Sequence, residues 1–139
     1  MRQISISFSS NRLTLEGVVS VPQQGPGRYP VVVVCHSHPV FKGDMEHPVV
    51  QAVCTALDYK GLATLRFNFR GIGKSEGEFT NGRDELEDVE AALKVVSHWP
   101  NLDNRRIGLV GYSFGAAVIL GGMSRLKRSR ALVYSNKII

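Results

Sequence analysis

IGLVGYSFGAAVIL, Ile107–Leu120, decides how this chain folds. Ile107–Val110 is an apolar run with the length and composition of a buried strand, and Ala116–Leu120 is a run of small and apolar helix formers. Between them lies Gly111-Tyr112-Ser113-Phe114-Gly115. When a strand turns into a helix over Gly-x-Ser-x-Gly, the serine sits on a tight, strained turn that presents its hydroxyl at the sheet edge, and the glycines admit neighbouring backbone. The bare five-residue pattern is weak, and a glycine-rich turn without chemistry is its alternative reading. The strand before it and the helix after it favour Ser113 as a nucleophile.

Working outward, the chain alternates two kinds of segment. Ile4, Ile6 and Phe8 alternate with serines, the period of a strand with one buried face, and Leu13–Val21 reads as its hairpin partner across a turn at Asn11. Beyond the loop PQQGPGRYP the strands become near-continuous apolar runs, Val31–Cys35, Leu62–Phe69 and Ile107–Val110, as in strands covered on both faces. A first helix is expected from Pro48, which suits a first helical position, to Gly61, which suits a helix end, with Val49, Val53 and Leu57 inward. A second is expected from Arg83 to Ser97, with Asp84, Glu85 and Glu87 at its positive end and a stripe of Leu86, Val89, Leu93 and Val96. A third begins near Phe114, and Arg130–Ser135 reads as a sixth strand. Hairpin followed by repeated strand and helix predicts an α/β three-layer sandwich with a mostly parallel sheet and right-handed crossovers. With 139 residues and no repeat or linker, one domain over 1–139 is expected.

Composition removes several function classes. At 43% hydrophobic and 21% charged, the chain has the balance of a globular protein. Its apolar runs are far shorter than the ~20 residues of a membrane-spanning helix, and MRQISISFSS lacks a signal-peptide core, so a cytoplasmic location is expected. Cys35 and Cys54 lie in apolar segments without metal or redox spacing and read as buried free thiols. The net charge of +5 and the cluster Arg125, Lys127, Arg128, Arg130 raise nucleic-acid binding. Cations after a helix are better explained by its negative end and by solvent, so no nucleic-acid partner is expected.

Three segments, VVVVCHSHPVFKGD (31–44), LRFNFRGIGKSEGEF (65–79) and IGLVGYSFGAA (107–117), occur in an order and spacing that resemble the α/β-hydrolase superfamily, specifically its small dienelactone-hydrolase-like bacterial serine hydrolases. The resemblance implies an acyl hydrolase with Ser113 as nucleophile and an oxyanion hole built from the backbone N–H groups of His38 and Phe114. Pro39 has no N–H, and Val40 is the fallback donor. It also implies two further strands carrying an acid and a histidine.

The 26 residues after Ser113 contain no Asp, Glu or His. The expectation is therefore a C-terminally truncated hydrolase domain whose acid and base lie elsewhere. The alternative is an impaired fragment acting as a binding or assembly module. His36 and His38 belong at the same sheet edge as Ser113 but on the oxyanion side, and His98 belongs at the opposite end. A sixth strand left as an edge invites pairing with a second copy. Two other readings of the loops fail. GIGKS (71–75) lacks the glycine a phosphate-binding loop needs five residues before Gly73, where Asn68 stands; Arg70 and Ser75 are expected to brace this loop by hydrogen bonds instead. His36, His38, His47, Asp44 and Glu46 match no metal spacing, so no metal or cofactor is expected, and the partner is a small acyl substrate.

Overall fold

A computed structural model describes residues 1–23, 27–126 and the backbone of 130–131. The expected hairpin is β1 (Arg2–Ser10) against β2 (Leu13–Val21), turning at Asn11 and Arg12, both at positive φ. The parallel strands are β3 (Tyr29–Cys35), β4 (Ala63–Phe67), β5 (Leu102–Gly111) and β6, described at Arg130–Ala131. Residues 132–139, which hold the rest of the expected sixth strand, and Lys127 and Arg128 of the basic cluster lie outside the described residues. Arg125 pairs with Glu90 at 2.7 Å.

The sheet order is β1-β2-β4-β3-β5-β6. It is a mixed sheet, mostly parallel as expected: the N-terminal hairpin is antiparallel and β2 joins β4 antiparallel, while β4-β3-β5-β6 is parallel. Alternation along β3 builds both layers. Val31, Val33 and Cys35 pack with Val89, Ala92 and Val96 of α2 (Glu85–Ser97) and with Val118 and Ile119 of α3 (Phe114–Gly121). Val32 and Val34 pack with Val50 and Cys54 of α1 (Pro48–Tyr59) on the other face.

Helix α1 starts at Pro48 as expected, and Gly61, with φ 82°, follows its end. Its buried centre is Val50 and Cys54, with Val53 and Leu57 at the flank, so the inward face is rotated from the one the Val49, Val53, Leu57 spacing suggests. Both thiols are free and buried, and burial, which disfavours the thiolate, pushes both up in pKa. In α2 the stripe is centred on Val89, Ala92 and Val96, and two of its acidic residues, Glu85 and Asp88, are fully buried. Among the described residues, no helix is long and apolar enough to cross a membrane.

Register positions the site. Cys35 is paired with Phe67 on one side and Gly111 on the other. The chain therefore leaves all three strands along one line, as His36, Asn68 and Tyr112. His98 follows α2 and precedes β5, at the opposite edge.

Candidate active site

Ser113 is the centre of that edge. Its backbone sits at φ 54°, ψ −108°, a region that L residues seldom occupy and that costs on the order of 1–3 kcal/mol unless the surroundings enforce it. Here they do. A Cβ on Gly111 would collide with the backbone of Ala116, and one on Gly115 would collide with the carbonyls of Cys35 and His36, so both glycines of the pattern are sterically required. The turn is fastened to β3 by Tyr112 N–H donating to the Cys35 carbonyl at 3.0 Å, and closed by Gly115 N–H donating to the Tyr112 carbonyl at 3.1 Å. Ser113 is half-buried, occupies the N-cap of α3, and makes no side-chain cap hydrogen bond.

The segment after β3 lies alongside. His38 begins a single 3₁₀ turn, Pro39–Phe41, in which Phe41 N–H and Gly43 N–H both donate to the His38 carbonyl, at 3.0 and 3.1 Å. Val40 N–H donates to His38 Nδ1 at 3.0 Å. That bond removes Val40 as a fallback donor, because its N–H is already committed within the turn. Among the described residues, the amide N–H groups of His38 and Phe114 have no acceptor, as two oxyanion donors require. The two residues are neighbours, their rings meeting edge to face at a centroid distance of 5.3 Å.

The histidines divide by function. His36 is fully buried; its Nδ1–H donates to the Ser37 carbonyl at 2.7 Å, and its Nε2 accepts Phe69 N–H at 3.1 Å. Both ring nitrogens are used, so it ties the segments after β3 and β4 together and has no lone pair for a metal or a serine proton. Burial holds its pKa below the ordinary value, against the Ser37 carbonyl, which favours the proton. His47 caps α1 through Nδ1, which accepts Val49 N–H at 3.1 Å, and its ring lies 5.6 Å from that of Tyr112.

The loop between β4 and α2 reaches over this edge. Its start is braced as the sequence suggests: Ser75 Oγ donates to the Asn68 carbonyl at 2.8 Å and accepts Glu16 N–H at 3.0 Å. Arg70 N–H and guanidinium both donate to the Asp88 carboxylate, at 2.9 and 2.8 Å, and Ser10 Oγ adds a bond to Asp88 at 2.7 Å. Burial works against the Arg70 charge, but Asp88 and Glu87 more than offset it and raise its pKa. Within GIGKS, the Lys74 N–H donates to Glu16 Oε2, which also accepts from Asn68 Nδ2 at 2.9 Å.

Sequence reasoning missed the far end of this loop. Glu85 is fully buried and accepts three bonds, from Thr80 N–H at 2.8 Å, Thr80 Oγ1 at 2.7 Å and Gly82 N–H at 2.7 Å. Between them Asn81, at φ 53°, places Oδ1 2.8 Å from His38 Nε2. Phe79 packs against both His38 and Phe114, at 5.1 and 5.2 Å between ring centroids. The Asn81–Gly82 dipeptide signals a turn, but nothing local says that the turn touches His38.

Comparison with known proteins agrees with this fold. The family model described as X-Pro dipeptidyl-peptidase (S15 family) matches residues 13–135. An α/β serine hydrolase homologue from Coxiella burnetii is 35% identical, with a TM-score of 0.82 over 96% of this chain and 62% of its own. An α/β serine hydrolase without lid from Xanthomonas campestris is 29% identical, with a TM-score of 0.83 over 96% of this chain and 61% of its own. An uncharacterized protein of Rickettsia prowazekii is 39% identical over 92 residues, 66% of this chain and 38% of that protein. The chain thus spans well under half of that curated relative's length.

Proposed function

The chain belongs to the X-Pro dipeptidyl-peptidase (S15) family of α/β hydrolases, and from that premise we propose that Ser113 is the nucleophile of a serine hydrolase acting on ester, thioester or peptide bonds of small acyl substrates. The observation that carries this reading is the strained backbone of Ser113 between two glycines that no larger residue can replace. Strain of this kind survives where the geometry it produces is used.

In the reaction, Ser113 Oγ attacks the acyl carbonyl while a general base takes the hydroxyl proton. The carbonyl oxygen becomes an oxyanion facing the His38 and Phe114 N–H groups, with the N-terminus of α3 behind the second donor. Collapse expels the alcohol, thiol or amine, which takes up that proton, and leaves an acyl-serine. Water then adds by the same route and releases the acid. The base is not His36, whose two nitrogens are both engaged, nor His38, whose Nδ1 and Nε2 bond Val40 and Asn81. The base and the acid of this reaction are therefore groups other than these two histidines.

The test is labelling with a fluorophosphonate. The protein should label at Ser113 and Ser113→Ala should not. A folded protein that does not label supports the second reading, a binding or assembly module.

A further inference from the structure

We propose that Asn81 is a positioning residue that fixes the tautomer of His38 and thereby holds the turn presenting the oxyanion donor; the proposal rests on the hydrolase reading above. The argument is one of donors and acceptors. Val40 N–H points at His38 Nδ1 at 3.0 Å, so Nδ1 must carry a lone pair, and the proton of the neutral ring is on Nε2. Nε2–H then needs an acceptor, and Asn81 Oδ1 stands at 2.8 Å. With Asn81 in place the ring is held at both nitrogens. Without it, the proton is free to move to Nδ1, where it would oppose Val40 N–H and release the first bond of the Pro39–Phe41 turn.

An exposed hydrogen bond between two side chains contributes little unless its partners are already held. Both are held here. The His38 ring is packed edge to face on Phe79 and Phe114. Asn81 is fixed by the buried Glu85 carboxylate, which takes the N–H groups of Thr80 and Gly82 on either side of it. Asn81 also occupies a positive φ that few side chains accept besides asparagine and aspartate. Aspartate would keep the backbone but bring a charge. Glycine would keep the backbone and remove only the acceptor. The loop after β4 thus reaches across 43 residues of sequence to set one proton on the His38 ring.

The test uses the whole protein and two readouts. Nitrogen-resolved imidazole spectra should show His38 protonated at Nε2 in the native protein and a mixture of tautomers in Asn81→Gly. With p-nitrophenyl acetate, Asn81→Gly should lower kcat about tenfold to a hundredfold with KM changed less than about twofold, because the donor is used in the transition state. Unchanged thermal melting shows that the variant folds; Asn81→Asp, which keeps both the backbone and an acceptor, should keep the proton on Nε2. Native His38 protonated at Nδ1, an unaltered tautomer in Asn81→Gly, or an altered tautomer with unaltered kcat each overturns the positioning role. Failure of Ser113 to label in the native protein instead overturns the hydrolase reading, whatever the tautomer spectra show, so the two failures are distinguishable.

Discussion

His38-Pro39-Val40 and His47-Pro48-Val49 are the same tripeptide, and they begin alike. In both, the imidazole Nδ1 accepts the amide of the valine two residues on, at 3.0 and 3.1 Å, and proline takes the first helical position. They end differently. The first opens a three-residue 3₁₀ turn and has its other nitrogen bonded to Asn81; the second opens a twelve-residue helix and lies against Tyr112. Local sequence sets the cap in each case. What the histidine does beyond capping is set by a loop that only folding brings near.

The comparison can be broken most severely from beneath the loop. Asp88→Ala removes the carboxylate that holds the Arg70 amide and guanidinium, and leaves a buried arginine with weaker partners. It should cost about 3–5 kcal/mol in urea denaturation. At partial denaturation the His38 turn should lose protection from amide exchange before the His47 cap does.

Removing the strain at the serine should act in the opposite direction. Ser113→Gly relieves φ 54° and should raise stability by about 1 kcal/mol while abolishing labelling. A thermal melt checks the first half, and a loss of stability would mean that the turn is not strained.

Deleting one cap at a time sharpens the contrast. His47→Ala should lower stability by about 1 kcal/mol, the usual cost of an N-cap, and leave the labelling rate of Ser113 within about twofold. His47→Ser, which can cap, should recover most of the loss. His38→Ala should do the reverse, moving kcat far more than the melting temperature.

A third histidine supplies the smallest effect, a slope with pH. His36 is neutral and its pKa in the fold is lowered from 6.5 by burial, so the unfolded chain binds the extra proton first. Stability should be flat above about pH 7 and fall as pH drops through 6.5. His36→Asn should reduce that slope, measured as urea midpoints between pH 5 and 8.

The same contrast explains what was legible in the sequence. Hairpin, helix starts and serine turn are written in short-range patterns: serine alternation through Ile4, Ile6 and Phe8, Pro48, and the two glycines around Ser113. The antiparallel join of β2 to β4 has no short-range signature, since residues 22–62 lie between the two strands and neither one's pattern names its neighbour. The inward face of α1 is rotated from the expected one because Val49, Val50 and Val53 leave several apolar faces open, and only the docking of Val50 and Cys54 on Val32 and Val34 selects one. Glu85 and Asp88 read as charges for a helix dipole, yet they are buried acceptors for Thr80 and Arg70. Carboxylates announce their charge in a sequence but not their partners. The proposed donors at His38 and Phe114 come from family resemblance, whereas the commitment of Val40 N–H to a side chain is readable only from the folded turn.

The central claim is that the strained turn at Ser113 holds a nucleophile. The most direct measurement is peptide mapping of the whole natural protein after fluorophosphonate treatment. The account predicts a single adduct on Ser113, absent from Ser113→Ala and slowed in Asn81→Gly. A folded protein that carries no adduct at Ser113, or one whose labelling survives Ser113→Ala, would contradict it.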